Sequence, residues 1–167
     1  MIAECHNRMV AQYKLNYISK THLYEGIPQL LDILSTQGVK LAVLSNKADY
    51  LTQKICAVLL KNWKFDVIMG AGERFPRKPN PESALFIAQQ LGVEPTNICY
   101  LGDSGVDMKT AIAAGFYPIG VGWGFRPKKE LAENGAKQII EKPINLSTVL
   151  TGSKPCFKSM SYHSGPY

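Results

Sequence analysis

The feature of this sequence that most constrains its fold is a regular alternation of amphipathic helical segments with short, apolar, strand-like segments. The spacing predicts helices over residues 27–37, 49–61, 80–91 and 106–114, and strands over residues 39–44, 65–69, 98–101 and 117–121. Strands that are apolar almost throughout, with helices between them, predict an α/β fold whose Rossmann-like parallel sheet is covered by helices on both faces. Functional residues are then expected at the carboxyl ends of the strands.

Proline, glycine and asparagine mark the boundaries of these segments. Asn80 and Pro81 predict a helix start, with asparagine as N-cap and proline at the first helical position. Gly38, Gly92 and Gly115 are expected to end three helices. The strand over residues 39–44 is expected to be buried and to end at the polar residues that follow it.

Composition excludes several classes of protein. The 167 residues are 46% hydrophobic and 19% charged, which excludes a disordered chain. No apolar run approaches the roughly 18 residues that span a bilayer, and the first residues lack the apolar stretch of a secretory signal. A cytoplasmic protein with no membrane partner is therefore expected. The net charge of +6 is scattered, so no nucleic-acid partner is expected; it suits an anionic small substrate, and solubility explains it equally well.

Two aspartates lie close together where a strand meets a helix. Asp103 follows the strand over residues 98–101, and Asp107 lies in the first turn of the next helix. A carboxylate pair at the mouth of a sheet suits a hard cation such as Mg²⁺. The alternative is structural, with Asp103 as a helix N-cap and Asp107 as a favourable first-turn acid. The spacing alone favours neither interpretation.

Two further polar residues could handle a phosphate group. Ser45 follows the strand over residues 39–44, where a hydroxyl and the next N–H groups could hold a phosphate oxygen, although an ordinary capping serine fits the same pattern. Lys78 lies in a proline-rich loop before a helix, where a lysine could neutralise a phosphate or a carboxylate nucleophile. A solvated loop cation is the simpler reading of Lys78 in isolation.

The order of these signals is more specific than any one of them. A strand ending in serine, a loop lysine before a helix, and a strand ending in Gly-Asp-x-x-x-Asp follow one another along the chain. The motifs are Tyr24-Glu25-Gly26-Ile27-Pro28, Leu44-Ser45-Asn46-Lys47, Arg77-Lys78-Pro79-Asn80-Pro81, Tyr100-Leu101-Gly102-Asp103-Ser104 and Gly122-Trp123-Gly124-Phe125-Arg126. Over residues 24–150 the chain resembles the haloacid dehalogenase-like hydrolase superfamily, in its phosphoglycolate phosphatase branch.

The resemblance implies a phosphatase that hydrolyses a small phosphate monoester through an aspartyl-phosphate, with Mg²⁺ as cofactor. Ser45 would bind the transferring phosphoryl group, with Asn46 beside it. Lys78 would stabilise the nucleophile and the phosphate charge. Asp103 would ligate Mg²⁺, and Asp107 would support either the metal site or Lys78. These roles suit phosphoryl transfer, which depends mostly on positioning and charge neutralisation.

The first motif of that superfamily, Asp-x-Asp with the nucleophile and the general acid/base, has no counterpart in this sequence. The five aspartates are Asp32, Asp49, Asp66, Asp103 and Asp107, and none is two residues from another. Residues 1–22 instead resemble the last helix of the superfamily's inserted cap and its return linker, residues 23–150 the core, and residues 151–167 a flexible tail. The chain is thus expected to be an inactive, N-terminally truncated fragment without the first core strand and most of the cap.

The absent strand would normally lie between the strands over residues 39–44 and 98–101, so two inner strand edges are expected to be unpaired. Three interpretations remain open: a truncated phosphatase, a non-catalytic descendant that binds a phosphorylated ligand or a partner, and a subunit whose missing strand comes from another polypeptide. The oligomeric state is not predicted.

Overall fold

The computed structural model describes residues 21–151, together with Glu4 and Ile18. The helices are α1 (Ile27–Thr36), α2 (Asp49–Leu59), α3 (Glu82–Leu91), α4 (Gly105–Ala113), α5 (Lys128–Glu133) and α6 (Asn145–Thr151), with a 3₁₀ turn at Pro95–Asn97. The strands are β1 (Ala42–Ala48), β2 (Val67–Ala71), β3 (Cys99–Gly102), β4 (Tyr117–Val121) and β5 (Gln138–Ile140). The predicted cap remnant lies almost wholly outside the described residues, and so does the predicted tail from residue 152 onwards.

The predicted α/β alternation is confirmed, with boundaries shifted by a few residues. Helix α1 buries Leu30, Leu31 and Leu34, the apolar positions that predicted it. Helix α3 begins at Glu82 with Pro81 as its N-cap, so the prediction of Asn80 as N-cap and Pro81 at the first helical position was wrong by one residue. Asn80 lies one position before the cap, and its Oδ1 accepts a hydrogen bond of 2.9 Å from the Glu82 N–H, one of the free N–H groups of the first turn.

The five strands form two separate parallel groups within the described residues. Strands β1 and β2 make a two-stranded sheet, and strands β3, β4 and β5 make a three-stranded sheet in that order. Every pairing is parallel, as predicted from the intervening helices. Among the described strands, none pairs with the second edge of β1 or of β3.

Strand β1 differs from the prediction in position and in burial. It begins at Ala42 and continues to Ala48, through Ser45, and its pairing with β2 is irregular between Leu44 and Ala48. None of its residues is buried, although its apolar sequence predicted a buried strand. Among the described strands, β1 has a neighbour on one side only, and its other side lines a cavity, so its side chains stay partly accessible.

Two apolar clusters cover the opposite faces of this divided sheet. Helices α1 and α6 pack on one face, where Leu34 and Leu150 lie in a cluster with Ile119. Helices α3 and α4 pack on the other, where Ala84 and Ala111 lie in a second cluster. Strand β3 and Ile98 just before it contribute alternate residues to the two clusters, Cys99 and Leu101 to the first and Ile98 and Tyr100 to the second. The helices therefore cover both faces, as predicted.

Sequence periodicity did not predict the last three elements before residue 152. Helix α5 has six residues and strand β5 has three, both too short to display a period. Their burial is nevertheless deep, since Leu131 is fully buried and Ile140 is 3% exposed. Among the described residues, no helix has the length and apolarity needed to cross a bilayer.

Candidate active site

Lys78 lies at the centre of a polar cluster at the carboxyl ends of β1 and β3. Its Nζ donates hydrogen bonds to the Asp107 carboxylate at 2.7 Å, the Leu44 carbonyl at 3.1 Å and the Tyr100 hydroxyl at 3.3 Å. Only 11% of the Lys78 side chain and 10% of the Asp107 side chain is exposed. The ammonium therefore connects β1 to β3 and α4, and it is not a solvated loop cation.

Asn46 holds the main chain of Lys78 in place. Its Oδ1 accepts a hydrogen bond from the Lys78 N–H at 2.9 Å, and its Nδ2 donates one to the Lys78 carbonyl at 3.1 Å. Both polar atoms of the Asn46 amide are thus engaged by one residue that lies 32 positions along the chain. The predicted contact of Asn46 with substrate stays a prediction, and the structure gives this residue a positioning contact.

The Tyr100 hydroxyl is the third polar group around the ion pair. It donates to Asp107 Oδ1 at 3.4 Å and accepts from Lys78 Nζ. Burial, followed by the charge of Asp107 and the hydrogen bond to it, raises the pKa of Tyr100 far above its ordinary value. The phenol therefore stays protonated over the physiological pH range, so it acts as a neutral hydrogen-bonding group.

Asp107 is a buried first-turn acid whose two oxygens are both engaged. Oδ1 binds Lys78, and Oδ2 accepts from the Ser104 hydroxyl at 2.7 Å. Ser104, not Asp103, is the N-cap of α4, because the Ser104 side chain accepts from the Asp107 N–H. Gly102 makes this approach possible, since a Cβ at that position would overlap the Asp107 side chain.

Asp103 lies at the same edge of the sheet and faces the loop after β4. Its Oδ2 accepts a hydrogen bond of 3.1 Å from the Phe125 N–H, and its Oδ1 has no donor among the described residues. A Cβ at Gly124 would overlap the Asp103 side chain, so the Gly122-x-Gly124 turn brings backbone directly against this carboxylate. One oxygen of the Asp103 carboxylate is therefore fixed by a hydrogen bond, and the other is available to a ligand.

Ser45 lies between Leu44 and Asn46, the two residues of β1 that contact Lys78. Its Oγ accepts a hydrogen bond from the Lys47 N–H at 3.1 Å, which is the local turn expected of an ordinary serine after a strand. Its neighbour Leu44 provides the carbonyl that binds Lys78. Nothing in the structure tests the predicted role of Ser45 in phosphate binding, which stays a prediction.

A cavity of about 840 Å³ opens between β1 and β3, below the polar cluster. Lys78, Asp103 and Asp107 line one end of this cavity, and Gly92, Val93 and Glu94 line the other. The side walls are mostly apolar and come from β1, β3, α1 and α3. The polar cluster thus lies at the mouth of an apolar cleft that divides the sheet.

Comparison with known proteins places this arrangement in a family. The model of the family described as haloacid dehalogenase-like hydrolase matches residues 2–121. This chain belongs to the haloacid dehalogenase-like hydrolase family. It is 34% identical over 113 residues to a phosphoglycolate phosphatase from Aquifex aeolicus, covering 68% of this chain and 53% of the relative. It is 30% identical over 125 residues to one from Xylella fastidiosa, covering 74% and 55%.

Solved structures of the haloacid dehalogenase-like family share the fold. A provisionally named phosphoglycolate phosphatase from Lactobacillus delbrueckii superposes with a TM-score of 0.76 at 33% identity, covering 86% of this chain and 61% of that one. The chain spans about half the length of the curated relatives it matches. Its resemblance to the phosphoglycolate phosphatase branch is confirmed.

A haloacid dehalogenase-like site implies Mg²⁺, and the residues present fit it in part. Asp103 offers an oxygen with no donor among the described residues, and Mg²⁺ often binds one or two carboxylates together with waters and substrate oxygens. Asp107 fits less well, because Lys78 and Ser104 already engage its two oxygens. Across residues 21–151, no group of three or more His, Cys, Asp or Glu side chains is arranged to hold a metal. The contacts of Asp107 favour the second predicted role, support of Lys78.

Sequence reasoning missed Tyr100 and Gly124 as contributors to this haloacid dehalogenase-like site, and it gave Asn46 a different role. Tyr100 and Gly124 were named only within motifs, and Asn46 was expected beside the phosphoryl group and not against Lys78. Each acts through a partner more than twenty positions away in the chain: Lys78 for Tyr100, Lys78 for Asn46 and Asp103 for Gly124. The only local signal was the position of Tyr100 two residues before the Gly-Asp pair.

Proposed function

We propose that this chain carries the residues of a phosphatase site that bind the phosphoryl group and neutralise its charge. The substrates would be small phosphate monoesters of the phosphoglycolate class. The observation that carries the proposal is the ammonium of Lys78, 11% exposed, at the carboxyl ends of two strands beside the carboxylate of Asp103. A fixed positive charge at that edge suits the charge that develops on a transferring phosphoryl group. The phosphoglycolate phosphatase relatives support the substrate class.

The proposed roles follow from the contacts of each residue. Lys78 is the cation that faces the phosphoryl oxygens, and Asp107 and Asn46 hold its side chain and its main chain. Asp103 would hold Mg²⁺ through its available oxygen, and a bound Mg²⁺ would neutralise phosphate charge. Ser45 is the candidate hydroxyl donor to the phosphoryl group.

The nucleophile is the missing part of this proposed site. Hydrolysis through an aspartyl-phosphate needs an aspartate that attacks phosphorus and a neighbouring acid that protonates the leaving oxygen. The 167 residues contain no Asp-x-Asp pair, and Asp107 is held by Lys78 and Ser104. We therefore expect this chain alone to have no turnover above background with an aryl phosphate and Mg²⁺.

The absence of that pair also favours a second candidate, a non-catalytic protein that binds a phosphorylated ligand. The retained cation and the carboxylate of Asp103 would still bind a phosphate and its metal. The two candidates differ in one respect: only the phosphatase should gain turnover when an Asp-x-Asp segment is restored.

The test is a chimera that joins the N-terminal segment of the Aquifex aeolicus relative to this chain. We expect Mg²⁺-dependent hydrolysis of phosphoglycolate, and a loss of about a hundredfold or more in kcat for Lys78→Ala and for Asp103→Asn. Lys64→Ala is the matched control, because Lys64 is an exposed cation that forms an ion pair with Asp66, and this variant should leave kcat unchanged. A folded chimera that binds inorganic phosphate without turnover would favour the binding protein instead.

A further inference from the structure

We propose that Glu130 is a positioning residue for the carboxylate of Asp103, which it holds in one orientation by connecting two segments of the chain. One segment is the start of α4, and the other is the loop between β4 and α5. This inference rests on the proposed function, because it takes Asp103 as the residue that would meet Mg²⁺. Glu130 lies in α5 and belongs to none of the motifs that pointed to the site.

The carboxylate of Glu130 binds the stretch of chain that carries Asp103. Its Oε1 accepts a hydrogen bond of 2.9 Å from the N–H of Gly105, the buried first residue of α4. This N–H is one of those that a helix leaves without a partner in its first turn, and a negative charge is favourable there. Because Gly105 lies two positions after Asp103, this bond fixes the main chain beside the Asp103 carboxylate.

Glu130 also binds the loop that contacts Asp103 from the other side. The Glu130 N–H donates to the Pro127 carbonyl at 2.9 Å, and its Oε2 forms an ion pair with Arg126 Nε at 3.8 Å. Arg126 follows Phe125, whose N–H donates to Asp103 Oδ2 at 3.1 Å. The loop residues on either side of this donor and the start of α4 are thus connected through one side chain.

Together these contacts form a closed contact ring of Asp103, Gly105, Glu130 and Phe125. The ring runs along the chain from Asp103 to Gly105, across to Glu130, back to Phe125, and across to Asp103 Oδ2. Because the Phe125 N–H binds Oδ2, the carboxylate has a fixed orientation and Oδ1 is the oxygen left for a ligand. Residues that orient a metal-binding carboxylate in this way raise its affinity for the metal.

Close packing at two glycines couples the position of α5 to that of Asp103. A Cβ on Gly124 would overlap the Asp103 side chain. A Cβ on Gly105 would lie 2.7 Å from Nδ2 of Asn134, the residue that ends α5, and this Nδ2 donates to the Glu130 carbonyl at 2.8 Å. Backbone therefore packs directly against side chains on both sides of the contact ring.

The competing interpretation is that Glu130 acts only through its charge or through the general stability of α5. Two variants separate these effects. Glu130→Gln removes the charge and keeps an oxygen that can accept from the Gly105 N–H, whereas Glu130→Asp keeps the charge and shortens the side chain by about 1.5 Å. Glu133→Asp is the matched control, because Glu133 is an exposed residue of the same helix that pairs with Lys129 outside the contact ring.

The test measures two NMR quantities in the full chain and in these three variants, after circular dichroism has shown that each is folded. The first is the exchange rate of the Phe125 amide without metal. The second is the concentration of Mn²⁺ that halves the Asp103 amide signal. Mn²⁺ shares the preference of Mg²⁺ for carboxylate oxygens, and its unpaired electrons broaden the signals of nearby residues.

Glu130→Asp is expected to change both quantities. Its Phe125 amide should exchange at least about threefold faster, because the loop is no longer connected to Gly105 and opens more often. The Mn²⁺ concentration should rise about tenfold, as is usual when the partner that orients a metal ligand is lost. Glu130→Gln and Glu133→Asp should both resemble the parent chain.

Three results would overturn the proposal. An unchanged Phe125 amide in Glu130→Asp would mean that Asp103 keeps its donor without Glu130. Equal effects of Glu130→Gln and Glu130→Asp would mean that charge acts instead of the hydrogen bond, and an equal effect of Glu133→Asp would mean a general property of α5. Mn²⁺ that leaves the Asp103 signal of the parent unchanged would instead contradict the metal-binding role of Asp103 in the proposed function. The Phe125 amide, which is measured without metal, would still decide the role of Glu130.

Discussion

The half of the sheet formed by β3, β4 and β5 is much better buried than the half formed by β1 and β2. In β4, every residue from Pro118 to Val121 is buried, and Ile119 is fully inaccessible. In β1 and β2 no residue is buried, although both strands are as apolar as β4 over most of their length. Among the described strands, β4 has a paired strand on each side, whereas β1 pairs with β2 on one side and lines the cavity beside β3 on the other.

This difference teaches that burial in a parallel sheet depends on neighbours as much as on side-chain type. Two strands of similar composition reach different burial because, among the described strands, one lies inside its sheet and the other lies at the edge of its sheet. Lys78 connects the two halves of the sheet. Its Nζ binds the Leu44 carbonyl of β1 in one half, and Tyr100 of β3 and Asp107 of α4 in the other. The site therefore depends on both halves keeping their relative position.

The largest effect is expected from matched truncations in the two halves. Ile119→Ala in β4 should lower the free energy of unfolding by about 3 to 5 kcal/mol, because it opens a cavity in a closed core. Ile68→Ala in β2 should cost roughly 1 to 2 kcal/mol, since that side chain is only half-buried. Urea unfolding of both variants measures the two losses. Equal losses of stability in the two variants would contradict the difference in burial between the two halves of the sheet.

The next effect concerns the ion pair that connects the halves. Lys78→Met should destabilise the chain by about 2 to 3 kcal/mol, because it leaves the nearly buried Asp107 carboxylate with only Ser104 and Tyr100 as donors. Lys78→Met combined with Asp107→Asn should recover more than half of that loss. A double variant less stable than Lys78→Met would show that the pair does not act as a unit.

A smaller effect is expected where backbone approaches a side chain closely. Gly102→Ala should cost about 1 to 3 kcal/mol, because its Cβ would overlap Asp107 and displace the partner of Lys78. Gly72→Ala is the matched control, since a Cβ there meets nothing within 4 Å, and it should change stability by less than about 0.5 kcal/mol. Thermal unfolding of both variants distinguishes them. A neutral Gly102→Ala would contradict the described packing of β3 on α4.

The smallest effect depends on pH. The raised pKa of Tyr100 means that the folded chain keeps this proton above about pH 10, where an unfolded tyrosine loses it. The stabilisation linked to this proton is full below that pH and is lost as the pH rises further. Tyr100→Phe should cost about 1 kcal/mol at pH 8 through lost hydrogen bonds, and should lose less stability than the parent between pH 8 and pH 11. Parallel stability curves for parent and variant would contradict the raised pKa.

The sequence predicted the elements that have a clear period, and it could not predict the contacts between distant residues. Helix α1 and strand β4 follow from their apolar spacing, and β4 matches its prediction over Tyr117–Val121. Strand β1 was predicted to stop at Ser45 because polar residues begin there, whereas the backbone stays extended to Ala48 through an irregular pairing with β2. Local composition carries no information on that pairing.

The site was predictable in its residue types more than in its contacts. The motif order pointed to Lys78, Asp103 and Asp107, and the structure brings all three to one end of the cavity between β1 and β3. The hydrogen bonds of Asn46 to the main chain of Lys78, and the contact of Lys78 with Tyr100, depend on how β1, β3 and the Lys78 loop meet in space. The expected gap in the sheet followed from the family's strand order, and the described strands show two groups with a cavity between them.

The most direct test of the central claim, that the sheet is divided between β1 and β3, is amide hydrogen exchange measured residue by residue in the free chain. The amides within β4 should exchange slowly, because β4 is paired on both sides. Within residues 42–44 of β1 and 100–102 of β3, alternate amides should exchange at least about a hundredfold faster than the β4 amides, because they face the cavity and no described strand pairs with that edge. Uniform protection along β1 and β3, equal to that of β4, would contradict the claim.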